Sequence, residues 1–279
     1  MDTVAIVGVG LIGGSFALAL RAAGYRGRIL GVSAPQTLEV ALARGVIDEG
    51  LPLEEAVRCA DWVYLAQPIE RILETLERVG ALAGPETLVT DAGSTKAKIV
   101  ERGRQCVTRG QFLGGHPMAG KEARGVAHAE AGLFRGRLYL LTPSDPAELE
   151  TERAREFVAW LERMGARPVV LSPEEHDRLV AFTSHLPQLA STALAAVLEE
   201  QLGDVALRAA GPGLADATRL ALSPFEIWNG ILQTNAPRIR EALDLYVTML
   251  EKLRDSLEDG AARSAFETGA SFARKLRAP

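Results

Sequence analysis

Residues 4–20 constrain this chain more than any other stretch. Val4-Ala5-Ile6-Val7 is an unbroken apolar run, followed at once by Gly8-Val9-Gly10-Leu11-Ile12-Gly13-Gly14-Ser15 and then by Phe16-Ala17-Leu18-Ala19-Leu20. A buried strand, a tight glycine turn and a helix start, in that order, are the context the G-x-G-x-x-G dinucleotide fingerprint requires. Gly8 permits the turn, Gly10 lets the backbone approach a pyrophosphate, and Gly13 lets helix and strand pack closely. The helix N-terminus then offers free N–H groups and a positive dipole end to phosphates. Glycine turns are common, so the weight lies on the placement of this one directly after an apolar strand.

Two domains are the expectation for 279 residues, and a hydrophobic content of 47% supplies a large core. A net charge of −5 without any long basic stretch excludes nucleic acid and anionic membranes as expected partners. Asp2 stands where a signal peptide would be basic, and the apolar stretch 179–198 is broken by Ser184, His185, Pro187 and Gln188. Neither an export signal nor a membrane span is expected, which points to the cytoplasm. Cys59 and Cys106 lack CxxC spacing and read as two reduced thiols. Histidines 116, 128, 176 and 185 show no HxH or HExxH spacing, so no metal is expected.

Further strands are predicted at 28–32, 61–66, 87–90, 112–115, 138–141 and 168–171, with helices over 68–83, after the second glycine turn Asp91-Ala92-Gly93-Ser94-Thr95-Lys96, and over 146–164. Strands alternating with helices mean a mostly parallel sheet covered on both faces. The pattern changes at Ser172-Pro173-Glu174-Glu175, which reads as a capped helix start. Beyond it only helical patterns follow, broken near Gly203, Gly211-Pro212-Gly213, Ser223-Pro224 and Gly260. The fold expected is α/β: a Rossmann-type, doubly wound, mostly parallel sheet over 1–171, then an all-helical domain over 172–279. The apolar stripe Leu243, Leu245, Val247, Leu250, Leu253 exceeds what one small bundle can bury, so a homodimer through the C-terminal helices is expected.

Ligands of a doubly wound sheet lie beyond the carboxyl ends of its strands. Ser33 falls where an acid normally holds the adenosine ribose, and the following Ala34-Pro35-Gln36 offers no arginine for a 2′-phosphate. NAD is the cofactor expected, with NADP left open. His116 at a strand end can accept a hydroxyl proton while hydride leaves the same carbon, and this reading is preferred to a mere turn residue before Pro117. Ser94 could orient that hydroxyl or simply cap a helix. His185 sits on a proline-broken helix, where a satisfied buried histidine competes with a site. Arg219 suits bidentate grip of a carboxylate, against an i,i+3 pair with Asp216; Trp228 is a pocket floor or core. For Glu174-Glu175-His176-Asp177 the preferred account is acids complementing a helix dipole.

Together these motifs resemble prephenate dehydrogenase, the TyrA-type prephenate/arogenate dehydrogenase family of tyrosine biosynthesis, over essentially the whole length. The shared marks are the fingerprint with Gly14-Ser15, Asp91–Lys96, Gly114-Gly115-His116-Pro117-Met118-Ala119-Gly120, Glu175-His176-Asp177, Ser184-His185-Leu186-Pro187, and Asp216-Ala217-Thr218-Arg219 with Trp228. The resemblance implies oxidative decarboxylation of a cyclohexadienol, with His116 taking the 4-hydroxyl proton and Ser94 orienting it. It implies Arg219 as carboxylate anchor, His185 and Ser184 as substrate contacts, Trp228 as pocket wall, and Glu122 and Asp216 near the mouth. The dinucleotide is expected along Gly8, Gly10, Leu11, Ile12, Gly13, Ser33, Gln67, Pro68 and Asp91.

This sequence departs from the family at Ser33 and at Pro224-Phe225, where Asp-Pro is usual. With the sequence ending at Pro279, no fused mutase or regulatory domain is expected, and feedback by tyrosine, if present, is expected to act at the active site. Arogenate as substrate is one alternative, a β-hydroxyacid dehydrogenase or imine reductase a second. The latter share a catalytic lysine where this chain has His185. A non-catalytic nucleotide sensor would keep the glycines without needing His116, Ser94 and Arg219 to converge.

Overall fold

The computed structural model describes residues 2–258 and 260–277. The first part of the chain forms β1 (Thr3–Val7), α1 (Leu11–Ala22), β2 (Arg28–Val32), α2 (Pro35–Ala43), β3 (Glu49–Gly50), α3 (Leu53–Cys59), β4 (Trp62–Leu65), α4 (Ile69–Leu82), β5 (Leu88–Asp91) and α5 (Ala97–Cys106). It continues through β6 (Gln111–Pro117), β7 (Leu138–Thr142), α6 (Glu152–Arg163) and β8 (Arg167–Val170). The eight strands make one sheet in the order β3-β2-β1-β4-β5-β6-β7-β8. Every pairing is parallel except β6 with β7.

Period-2 alternation explains why both faces are covered. Val4, Ile6, Trp62 and Tyr64 pack with Phe16, Leu20 and Phe157 on one face. Ala5, Val7, Val63 and Leu65 pack with Ile72, Leu76, Val79 and Ile99 on the other. Phe16 stacks on Tyr64 with centroids 3.9 Å apart, fixing α1 over the sheet centre. The strand order reverses at β1 and β4, which opens a crevice at their carboxyl ends.

The helical part comprises α7 (Pro173–Val180), a π-type turn (Ala181–His185), α8 (Leu186–Leu202), α9 (Asp204–Ala209), α10 (Pro212–Thr218), α11 (Phe225–Thr234), α12 (Ala236–Asp255) and α13 (Arg263–Arg277). Ser172 and Glu175 form a reciprocal capping box with Pro173 in the first turn. Ala181, Ile231, Ile239 and Ala242 join the second sheet-face cluster, so the helices dock on that face. No strand occurs among the described residues after Val170, and no helix there is long and apolar enough to cross a membrane. Both cysteines are free, and no group of side chains suited to a metal occurs among the described residues.

The structure departs from the sequence-based expectations in several places. Residues 35–59, not legible from periodicity, hold two short helices and a two-residue strand. The strand expected to stop at Gly115 continues through His116 and Pro117, because the returning β7 pairs antiparallel with them. The helix expected over 146–164 divides at Thr151, whose hydroxyl accepts from Ala154 N and starts α6 afresh. Pro187 lies in the first turn of α8, where a missing N–H costs little; the wide turn before it absorbs the break.

Candidate active site

The glycine turn is shaped as its sequence requires. Gly8 has φ +95°, and a Cβ there would lie 2.7 Å from the Ala66 carbonyl oxygen. A Cβ on Gly13 would stand 2.2 Å from the Gly8 carbonyl oxygen, so α1 meets β1 too closely for any side chain. A Cβ on Gly10, by contrast, would meet nothing within 4 Å. Gly10 is the N-cap of α1, with no side chain capping it and no acid in the first turn. The helix end therefore presents its dipole and amides to the crevice, as an anionic ligand needs. Gln67 lies against Gly8, and its Oε1 is buried without a partner among the described residues. A buried acceptor without a donor is costly, so an external donor belongs there. Open space at Gly10, the bare helix end and the orphaned Gln67 oxygen all fit a bound dinucleotide. Leu11 and Ile12 open α1, Ser33 is half-buried at the end of β2, and Pro68 is exposed before α4.

Asp91 closes β5. It is fully buried, ion-paired with the equally buried Lys96, and accepts from Gly93 N (2.8 Å) and Gly115 N (3.1 Å). The protein saturates its carboxylate, which braces the strand carrying His116 from beneath. Lys96 also donates to the Gly115 carbonyl at 2.7 Å. This pair thus clamps the residue preceding His116 from both sides of its peptide. Burial lowers the Lys96 pKa, and Asp91 opposes that shift.

His116 stands on β6, half-buried, with Nδ1 2.9 Å from His176 Nε2. Burial, then His176, Lys96 and His185, holds its pKa well below the ordinary 6.5, so the ring is neutral near neutrality. His176 Nδ1 lies 2.9 Å from Asp177 Oδ1, and burial lowers the His176 pKa although Asp177 opposes it. Asp177 in turn receives Lys96 N at 2.6 Å and Ala97 N at 3.0 Å. The dipole account of Glu174–Asp177 is therefore half right. Glu175 caps α7, but His176 and Asp177 are buried and turned into the site. Ser94 is half-buried with no side-chain bond to any described residue; it does not cap α5, whose first amides are met by Asp177.

The helical part contributes a second group. His185 is buried, edge-on to Trp228 with centroids 5.9 Å apart, and burial depresses its pKa to about 4. Asn235 Nδ2 donates to the Asp177 carbonyl at 2.8 Å and lies 3.3 Å from His185 Nδ1. Trp228, Arg219, Glu122 and Gln188 line one cavity of about 700 Å³. Gln188 holds the Leu220 carbonyl at 2.8 Å and Ser191 Oγ accepts from Ala221 N at 3.2 Å, which fixes the turn carrying Arg219 on α8. Arg219 does not pair with Asp216; its Nη1 reaches Glu122 at 3.3 Å, both side chains being largely exposed. Asp216 is exposed on α10 and does not line that cavity, and Ser184 is half-buried in the π-type turn. The larger cavity of about 860 Å³, between α12 and α13, lies apart from these histidines.

His176, Asp177, Lys96 and Asn235 are the site residues that pattern reasoning missed. The signals available were the Glu175-His176-Asp177 and Asp91–Lys96 motifs, which gave these residues no individual role; nothing in the sequence singled out Asn235.

A dinucleotide-binding sheet, a neutral imidazole at its carboxyl edge and an arginine-lined cavity between the segment after β6 and the attached helices define a two-part, dinucleotide-linked dehydrogenase. Residues 16–170 match the model of the prephenate dehydrogenase nucleotide-binding domain, and 172–269 that of the prephenate dehydrogenase dimerization domain. The chain belongs to the prephenate dehydrogenase family. It is 36% identical over 272 residues to prephenate dehydrogenase of Bacillus subtilis, covering 95% of this chain and 72% of that one. The crystal structure of prephenate dehydrogenase from A. aeolicus with hydroxyphenyl propionate and NAD+ superposes with a TM-score of 0.87 at 31% identity, over 99% of this chain and 96% of that one. Arogenate dehydrogenase of Synechocystis gives 0.83 at 30% identity, over 98% and 99%. Family membership sets aside the β-hydroxyacid dehydrogenase and imine reductase alternatives.

Proposed function

We propose that this chain catalyses NAD-linked oxidative decarboxylation of prephenate to 4-hydroxyphenylpyruvate, with His116 as proton acceptor. The observation that carries the reading is a neutral imidazole whose Nδ1 is engaged by protein while Nε2 has no partner among the described residues. The nicotinamide, when bound, accepts the hydride. His116 Nε2 takes the 4-hydroxyl proton as the C4–H pair leaves. The C1–carboxylate bond then breaks, carbon dioxide departs, its electron pair enters the ring, and the phenolate oxygen recovers the proton. Aromatisation supplies the driving force, so the side chains need only position and polarise.

Arg219 would grip the substrate's carboxylate, displacing the solvent-screened contact with Glu122; such exposed pairs are weak. Trp228 walls the ring, His185 and Ser184 contact the substrate, Ser94 orients the hydroxyl, and Asp216 stands near the mouth. The side chain of arogenate carries an amine where prephenate has a keto group, and Glu122 beside Arg219 would suit that amine. Ser33, without a cation in 33–38, favours NAD over NADP. Residues 1–171 would form the dinucleotide domain and 172–279 the helical domain, acting as a cytoplasmic homodimer. The dimer reading is supported by exposed Leu245, Val247, Met249, Leu250, Phe266 and Phe272, and by α13 burying none of its residues.

His116→Asn should lose turnover, at least about 100-fold, while still binding NAD. Wild-type turnover in that variant refutes the assignment. Arg219→Ala should raise KM for prephenate by about 10–100-fold, as expected for a charge-assisted contact. Rates of cofactor reduction with prephenate and arogenate, each with NAD and NADP, decide substrate and cofactor.

A further inference from the structure

We propose that Asp177 is a positioning residue that sets the ring tautomers of His116 and His185 in opposite senses, making one a proton acceptor and the other a donor towards the substrate. The inference rests on the reading of His116 given above.

The first arm runs through the Asp177 carboxylate. Its two oxygens receive the backbone N–H groups of Lys96 and Ala97, at 2.6 and 3.0 Å, at the start of α5. Amides can only donate, so this carboxylate is an acceptor and is held as the anion. His176 Nδ1, 2.9 Å from Oδ1, must therefore carry a proton. A neutral His176 then has a bare Nε2, and His116 Nδ1, 2.9 Å away, must donate to it. The only lone pair left on the His116 ring is at Nε2, where a general base needs it. No rotation of a polar group is available to reverse this order, because it begins at two main-chain amides.

The second arm runs through the same residue's carbonyl. Asn235 Nδ2 lies 2.8 Å from Asp177 O, and a carbonyl accepts only from nitrogen, which fixes the orientation of the amide. The remaining N–H of that group faces His185 Nδ1 at 3.3 Å, so Nδ1 accepts and the single proton of the neutral ring sits on Nε2. His185 is then a donor, suited to a carboxylate or hydroxyl oxygen beside Trp228. Because Asp177 is on α7 and the amides it holds are on α5, the two parts of the molecule must be docked for either tautomer to be specified.

Asp177→Leu tests the first arm. Oδ1 alone accepts from both Lys96 N and His176 Nδ1, and leucine takes that acceptor away, so nothing holds the His176 proton on Nδ1 or specifies the His116 tautomer. Removing the carboxylate's hold on the imidazole is expected to cost about tenfold or more in kcat, with KM for NAD within about threefold. Asp177 also caps α5, so a second pair keeps that cap intact. His176→Gln retains an acceptor for His116 Nδ1–H and should be at least about tenfold faster than His176→Leu, which retains none. Nitrogen NMR of the imidazole rings in the holoenzyme should find Nδ1–H on His116 and Nε2–H on His185, with the His116 assignment lost in Asp177→Leu. Nε2–H on wild-type His116, Nδ1–H on wild-type His185, equal kcat in the two His176 variants, or unchanged kcat in Asp177→Leu would each overturn the proposal. A turning-over His116→Asn would instead refute the base assignment, whatever tautomers are found.

Discussion

Acidification should expose how His185 is held. Its folded-state pKa is depressed to about 4 from an ordinary 6.5, chiefly by burial, with Asp177 opposing and His176 adding to the shift. In the unfolded chain the ring takes up a proton as pH falls through 6.5; in the folded chain it does not until about 4. The unfolded state thus binds more protons in that window, so stability is intact above 6.5, is lost progressively below it, and the loss is complete below about 4. Between about pH 7 and about pH 5 the depression amounts to roughly 2 kcal/mol of stability from this one ring. For domains of this size that is about 4–8 °C in Tm. The assay is thermal or urea unfolding of wild type and His185→Gln at both pH values. The variant starts from its own baseline, having lost the edge-on contact with Trp228, but its stability should fall less on acidification by roughly that 2 kcal/mol. His116 and His176 titrate in the same direction in both proteins, so they cancel in the difference to first order. Parallel pH dependences would refute the account of a buried, neutral His185.

Gly10→Ala and Gly13→Ala should separate binding from folding. The first meets open space, so Tm should stay within about 1 °C while the Kd for NAD rises at least about tenfold; the second drives a methyl into the Gly8 carbonyl and should cost about 1–3 kcal/mol as well. Equal effects on melting would be the wrong outcome. Ser33→Asp should cut kcat/KM for NADP at least about tenfold and leave NAD within about threefold, because a carboxylate there repels a 2′-phosphate; the steady-state ratio of the two cofactors reads this. Leu250→Glu on exposed α12 should shift sedimentation towards a slower species if that face is covered by a second copy, and leave it unchanged if it is not.

Much of this molecule could be read before any coordinates. The run Val4–Val7 and the glycines after it dictate a buried strand and a bare helix end, because only glycine tolerates a φ of +95° at position 8 or a carbonyl oxygen 2.2 Å from the Cβ site at position 13. The alternation of strand and helix, and the capping box at Ser172, are local signals and were equally legible. The site was legible in part. His116, Arg219 and Trp228 carry chemistry that their residue types announce, but a side chain's use depends on what packs over it. Asp177 read as one acid in a helix's first turn, since sequence cannot show that α5, eighty residues earlier, brings two amides to it. The ion pair of Asp91 with Lys96 was not legible either, since it forms only once β6 lies beside both.

Sequence by itself determined most of the elements outside 35–59, the nucleotide fingerprint and the list of reactive side chains, all of which depend on neighbours within a few residues. Tertiary structure alone decided which imidazole is neutral, which nitrogen of it is free, and which acid is spent on the fold. Those properties are set by burial and by donors arriving from distant strands and helices, and burial is a property of the packed molecule.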